Sequence, residues 1–213
     1  MYLLEHDAKV LLARRGIPVP EGRLIANLQE LGAAPLPPGP WVVKGQIAAG
    51  GRGRAGLVRR AATVAELRTE LGAMLGAAAR SHRVGAARVE TAVSGAHEAY
   101  AGFLLDPAGA GVRVILSAQG GVDIERVPRA EIHGELAAPE AAALEASVER
   151  LARRLPRELA PAAREAGSRL ARAFLGLEAL LLEVNPLFVA PGGGWLAGDA
   201  KLVTDDNALH RQP

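Results

Sequence analysis

The sequence predicts a mixed α+β fold in which antiparallel hairpins alternate with helices, and three observations carry that prediction. Apolar, β-prone runs meet twice across short turn signals: Glu98–Leu105 with Gly111–Ala118 across Asp106-Pro-Ala-Gly109, and Leu182–Val189 with Trp195–Val203 across Ala190-Pro-Gly-Gly-Gly194. From Pro139 to Leu182 the chain is rich in Ala, Arg, Glu and Leu and reads as mostly helical, broken near Pro156 and Pro161. The signatures of a doubly wound nucleotide fold are missing: no GxGxxG follows the first strand, and the GxxxxGK(S/T) spacing does not occur.

The remaining elements follow in order. Glu5 to Arg15 forms a helix with Ala8, Leu11 and Leu12 on one face, stopped by Gly16 and by Pro18 and Pro20. Pro35-Leu-Pro-Pro-Gly-Pro40 is a stiff linker into the strand Trp41–Val43. Leu57–Ala61 is a returning strand, and Thr63-Val-Ala-Glu66 is a capping box opening a helix that runs to about Ala79. Arg88–Thr91 carries a further β signal.

At 213 residues and 49% hydrophobic, the chain can bury a core and build one large domain or two smaller lobes. It has no cysteine, which removes disulfides and thiolate chemistry together and suits a cytoplasmic protein. The N-terminus lacks a basic-then-apolar leader pattern, and no apolar run approaches the roughly 20 residues of a bilayer span, so no membrane association is expected. A formal charge of +2, without clustered basic residues and interleaved aromatics, argues against a nucleic-acid partner.

Of the 25 basic Lys and Arg residues only three are lysines, Lys9, Lys44 and Lys201. A lysine retained against so much arginine suits a place where a compact point charge works and a planar guanidinium does not. Lys44 ends the strand in WVVKGQIAAGGRGRAG and is followed by Gly50-Gly51-Arg52-Gly53-Arg54-Ala55-Gly56. Such a loop brings backbone N–H groups close to an anion, while the guanidinium groups add charge. Lys44, Gly51, Arg52 and Gly53 are therefore candidates for holding a phosphate chain.

With Gly192 as the centre of the last turn, a regular antiparallel register sets Asn185 opposite Asp199 and Glu183 opposite Lys201, all four on one face. Read from the hairpin alone, two accounts stand level. One is a hard-oxygen set suited to Mg2+, which beside phosphates takes only one or two protein ligands. The other is an ordinary Glu183–Lys201 salt bridge beside an Asn-Pro turn. Polar residues otherwise avoid these apolar strands, which tips the balance towards the metal.

Together WVVKGQIAAGGRGRAG, QGGVDIERVP, LLEVNPLFV and GDAKLVTDDNALHRQP, with the opening LLEHDAKVLLARRGIPVP, resemble the ATP-grasp part of the succinate-CoA ligase β subunit family, which includes malate-CoA ligase and ATP-citrate lyase relatives. The resemblance runs from Met1 to Pro213. It implies an ATP-grasp fold of two α+β lobes with antiparallel or mixed sheets enclosing a nucleotide cleft. Residues 1–213 would be the nucleotide-binding domain, with the smaller lobe inserted at about 22–92 and the family's C-terminal flavodoxin-like domain absent. Carried over by position, Lys44 and Gly51-Arg52-Gly53 hold and cover the nucleotide phosphates. Glu90 and Val93 lie beside adenine, Glu98 takes the ribose hydroxyls, and Asn185 and Asp199 are the Mg2+ ligands, with Glu183 near them.

The implied activity is that of the ATP-binding part of an ADP-forming carboxylic acid-CoA ligase. The γ-phosphoryl of ATP would pass to a histidine on an α-type CoA-binding partner, and another chain would supply the missing C-terminal domain. None of His6, His82, His97, His133 and His210 is expected to carry the phosphoryl group. Pro20 stands where GTP-using members tend to carry Gln, which favours ATP. The sequence also departs from the family: Ala48 and Arg54 stand where a histidine and a lysine are usual, Leu57 replaces a glycine, and Val93 a threonine. These departures keep open an alternative reading as a non-catalytic nucleotide-binding or assembly module.

Overall fold

The computed structural model describes residues 1–79, 81–121, 127–128 and 131–211. Most of the VDIERVP part of the QGGVDIERVP motif and the terminal Gln212-Pro213 lie outside the described residues. In chain order the first elements are α1 (Glu5–Arg14), β1 (Gly22–Ile25), β2 (Trp41–Gly45), β3 (Val58–Ala61), α2 (Val64–Met74), β4 (Ala78–Ala79), β5 (His82–Arg83) and β6 (Ala87–Thr91). They are followed by β7 (His97–Asp106), β8 (Gly111–Ser117), β9 (Ile132–Ala137), α3 (Ala141–Ala152), α4 (Ala160–Gly176), β10 (Ala179–Val189), β11 (Trp195–Ala197) and β12 (Ala200–Thr204). The chain divides into two compact units, one of Pro20–Ser94 and one of Met1–Val19 with Gly95–Pro213.

The Pro20–Ser94 unit is built on an antiparallel sheet ordered β1-β6-β2-β3. Period-2 alternation gives its two faces different work. Ile25, Trp41, Val43, Ala61, Ala87 and Val89 are buried in one cluster with Leu67, Leu71 and Met74 of α2. The opposite face carries Lys44, Arg88 and Glu90. Thr63 caps α2 by accepting from Glu66 N at 3.2 Å, and the Glu66 carboxylate reaches back to Ala62 N at 2.8 Å, so the capping signal in the sequence is used. The helix stops at Met74 rather than near Ala79. Gly76 adopts a φ of +79°, open to glycine, and its amide bonds to Val84 O at 2.9 Å, which diverts the chain into the small β4–β5 pair.

The larger unit holds six antiparallel strands in which β11 and β12 both flank β10, followed by β7, β8 and β9. Ala101, Phe103, Val114, Leu116, Leu182, Val184 and Leu202 form the inner face, packed against Leu144, Val148 and Leu151 of α3, Leu170 and Phe174 of α4, and Ala8 and Leu12 of α1. At about 25 cal/mol per Å² of apolar surface, burial on this scale is the main force holding sheet and helices together. Gly167 of α4 lets that helix approach closely, since a Cβ there would meet Val148 Cγ1 at 2.6 Å.

Two boundaries differ from those expected, and one expected break is observed. The stretch expected to be helical up to Leu182 ends at Gly176, and β10 starts at Ala179, because Glu178 turns the chain with a φ of +46°. The break near Pro156 and Pro161 is real, with Pro161 in the first turn of α4, where its missing N–H costs nothing. The strand expected over Trp195–Val203 is split into β11 and β12 by a bend at Gly198-Asp199.

Candidate functional site

In the smaller unit, the face turned away from α2 collects a buried charge cluster. Lys44 pairs with Arg88 in the β2–β6 register and Val42 with Glu90, so Lys44 and Glu90 are diagonal neighbours. Lys44 Nζ lies 2.6 Å from Glu90 Oε1, and Arg88 Nε donates to Glu90 Oε2 at 2.8 Å. Arg88 also donates to Pro20 O at 2.9 Å. Lys44 is 7% exposed and Glu90 and Arg88 3% each, so two cations share one carboxylate with little water nearby. In such a low-dielectric place a cation meets an anion more strongly than a solvated lysine does.

The glycine loop follows directly from β2. Gly45 N donates to Leu57 O at 2.8 Å and Leu57 N to Arg52 O at 3.0 Å, which ties the loop's two ends together. The amides of Ala55 and Gly56 are engaged within the loop, with Gly51 O and Arg52 O, and with Gly53 O. Gly51 and Gly56 take positive φ values of +68° and +70°. Gly51, Gly53 and Arg54 are exposed at the loop surface, whereas Arg52 is buried and its Nη1 reaches Gly45 O at 3.5 Å. Leu57 is buried in the apolar cluster with Ile47 and Met74. Val93, half-buried, lies just beyond β6 in the segment leading to Ser94.

In the larger unit, the register expected from the turn is observed: Glu183 faces Lys201, Val184 faces Ala200, and Leu187 faces Ala197. Asn185 and Asp199 meet between these pairs, with Asn185 N donating to Asp199 O at 3.3 Å. On the β7 side the register shifts between Val184 and Leu187, so Asn185-Pro186 forms a bulge opposite Tyr100. Asn185 Oδ1 accepts from Gly121 N at 2.5 Å and its Nδ2 donates to Gly121 O at 3.2 Å, which fixes the amide's orientation. Asp199 Oδ1 accepts from Ala200 N at 2.7 Å.

Glu98 pairs with Phe188 in the β7–β10 register, and its carboxylate occupies the space beside Gly121 Cα that a Cβ would need. Gly120 and Gly121 therefore bring Glu98 and Asn185 to one loop. On the same face Glu183 lies opposite Gly102, over which the Tyr100 ring is folded. Burial first, and the charge of Glu183 second, push the Tyr100 hydroxyl well above its ordinary value, so it stays protonated and able to donate.

The donor set passes a chemical test for Mg2+. An amide oxygen and a carboxylate on adjacent backbones are hard donors, and among the described residues no group of three His, Cys, Asp or Glu forms a fuller cage. Two protein oxygens suit an ion that completes its shell with phosphate and water.

Sequence reasoning missed four residues that the structure places in or beside these clusters or in an ion pair of their own. Arg88 had no signal among so many arginines. Gly22 makes room for the charge cluster, since a Cβ there would lie 2.7 Å from Glu90 Cβ and 2.8 Å from Arg88 Nη2. Glu5 and Lys9 form a buried ion pair on α1 at 2.7 Å. Their i,i+4 spacing and the scarcity of lysine were both visible in the sequence.

Known proteins resemble this chain along its whole length. The chain is 40% identical to the succinate-CoA ligase (GDP-forming) subunit beta of Thermus thermophilus, over 100% of this chain and 58% of that protein. It is 38% identical to the succinate-CoA ligase (ADP-forming) subunit beta of Chloroflexus aggregans, again over 100% and 58%. It thus spans 58% of the length of these curated relatives. Among solved structures, the ATP citrate lyase of Methanothrix soehngenii in complex with citrate and coenzyme A superimposes with a TM-score of 0.77 at 21% identity, covering 99% of this chain and 52% of that one. The dinucleotide-forming acetyl-coenzyme A synthetase 1 of Ca. Korarchaeum cryptofilum, in complex with coenzyme A, Ca-AMPCP and HgCl+, gives 0.69 at 21% identity, covering 96% and 93%. These two likenesses speak for the fold. The sequence profile of the ATP-grasp domain matches residues 2–189, from before α1 to the end of β10, and the chain belongs to the ATP-grasp domain family.

Proposed function

We propose that this chain is the ATP-binding part of an ADP-forming carboxylic acid-CoA ligase of the succinate-CoA ligase type. The observation that carries the reading is Asn185 and Asp199 joined across β10 and its neighbouring bend, with Glu98 brought to the same Gly120-Gly121 loop. In this reading Lys44, backed by Arg88, and the amides of Gly51, Arg52 and Gly53 hold the phosphates. Glu90 and Val93 offer backbone to adenine, and Glu98 accepts from the ribose hydroxyls.

Asn185 and Asp199 hold Mg2+, which when bound neutralises phosphate charge and orients the terminal group. Phosphoryl transfer needs little else from a protein than position and charge neutralisation. The γ-phosphorus separates from its bridging oxygen, leaving ADP, and bonds to an imidazole nitrogen of an α-type CoA-binding partner. The carboxylic acid and coenzyme A then react on that side. Relatives named GDP-forming and ADP-forming match at 40% and 38%, so their names do not choose the base, and Pro20 is the residue that favours ATP.

Calorimetric titration with Mg-ATP tests the assignment. Lys44→Ala and Asp199→Ala each weaken binding by about tenfold or more, the scale on which lost metal-site contacts act, while His133→Ala leaves it unchanged. Unaltered affinity in both site variants overturns the reading. A second reading, a nucleotide-binding assembly module without chemistry, draws on Ala48, Arg54 and the buried Leu57 in the glycine loop. With γ-labelled ATP, label on a histidine of an α-type partner supports the ligase, and none with any partner favours the module.

A further inference from the structure

Lys9 is fully buried, and it does more than neutralise Glu5. Its ammonium pairs with Glu5 Oε1 at 2.7 Å and donates to Gly198 O at 2.7 Å, crossing from α1 to the bend between β11 and β12. Gly198 O belongs to the peptide plane that continues into the nitrogen and Cα of Asp199, so pinning that oxygen sets the direction from which the Asp199 side chain leaves the backbone. The rest of the bend is held as tightly. Ala197 N donates to Pro18 O at 2.8 Å, Gly198 N to Pro186 O at 2.9 Å, and Asn185 N to Asp199 O at 3.3 Å. Gly198 lies under the Phe188 ring, with Pro186 O 2.9 Å from where a Cβ would be, so the bend has no room for a side chain at 198.

A buried ion pair is a poor device for stability, because desolvation consumes most of what the two charges gain. An apolar pair would hold α1 against the sheet as well. The pair makes sense where a cation is needed at one particular carbonyl.

We propose that Glu5 and Lys9 are positioning residues for the metal site: the Lys9 ammonium orients the Gly198–Asp199 peptide so that the Asp199 carboxylate presents to Mg2+ beside Asn185. The proposal rests on the reading of Asp199 as a metal ligand.

The test uses the full chain and Mn2+ as the probe, with its affinity measured by electron paramagnetic resonance in the presence of ADP. ADP affinity in EDTA and the thermal midpoint are followed in parallel. Glu5→Leu/Lys9→Met replaces the ion pair with apolar side chains of similar size. It should keep the thermal midpoint and the metal-free ADP affinity, yet weaken Mn2+ binding about tenfold, as loss of an outer partner typically does. Glu5→Gln should show the reverse, a lower midpoint with Mn2+ affinity kept, because Lys9 still reaches Gly198. Parent-like Mn2+ affinity in the apolar pair, or Mn2+ affinity that simply follows the midpoint in both variants, overturns the proposal. If the apolar pair does not fold, Lys9→Met alone is read in the same titration against the same outcomes. Asp199→Asn separates the two levels: if it too leaves Mn2+ binding unchanged, the metal-site reading itself has failed, and if it alone weakens binding, only the role of Lys9 has.

Discussion

Lys44 Nζ sits 2.6 Å from Glu90 Oε1 on the sheet face away from α2, so the cation proposed to meet phosphate is already paired inside its own sheet. Glu90 is shared, since Arg88 Nε holds its second oxygen at 2.8 Å. Both cations meet on this one carboxylate, and an incoming phosphate would compete with it for them.

Glu90→Gln separates holding the sheet from holding the ligand. Removing one partner from a buried ionic cluster leaves an uncompensated charge and costs about 3–5 kcal/mol. Chemical denaturation should show a loss of that order, while ATP affinity is kept or rises, because Lys44 and Arg88 are then released from that carboxylate. Affinity falling as far as in Lys44→Ala would mean that the Glu90 carboxylate is needed to aim the lysine.

Gly22→Ala tests the space behind the cluster. A Cβ at 22 would stand 2.7 Å from Glu90 Cβ and 2.8 Å from Arg88 Nη2, and the first of these is anchored to backbone and cannot swing aside. Overpacking of this kind costs about 1–3 kcal/mol, and it pushes Glu90 away from Lys44. Both the unfolding midpoint and ATP affinity should drop. Gly32→Ala, where a Cβ meets nothing within 4 Å, is the control and should change neither.

These tests also mark what could be read without coordinates. The hairpin register was legible because a Gly-rich turn fixes its own centre, and Glu183 opposite Lys201 follows by counting. Lys44 was legible because lysine is scarce. The same scarcity pointed equally at Lys9, but a charged residue on a helix otherwise marked by Ala8, Leu11 and Leu12 reads as solvent-facing, and only packing shows that it is buried. Arg88 and Glu90 alternate with Val89, which tells that they share a face and not what that face meets. Strand β9 was missed because IHGELA alternates weakly and holds a glycine; its pairing with β8, rather than local preference, makes it a strand. Arg52 has its guanidinium folded towards Gly45 O, a contact set by loop closure that no spacing rule reveals.

His133 gives the molecule a pH response apart from the candidate site. It lies on β9 opposite Leu116, and its Nδ1 is buried with no hydrogen-bond partner among the described residues. Burial first, and the charge of Arg154 second, lower its pKa below the ordinary 6.5. The unfolded chain therefore takes up the proton before the folded one does. Stability from this group is fully present above about pH 6.5 and is lost as pH falls from there through the lower folded value. Glu135, Glu149 and Asp106 do not confuse the reading, because arginine partners hold each of them below the usual carboxylate range, and they titrate further down. Thermal midpoints taken between about pH 7.5 and about pH 5.5 should fall in the parent and stay flatter in His133→Gln, which cannot titrate there. Parallel profiles in the two proteins would assign the acid-side loss to another group, and ATP affinity measured at about pH 7.5 should be the same in both, since nothing in the nucleotide assignment calls on His133.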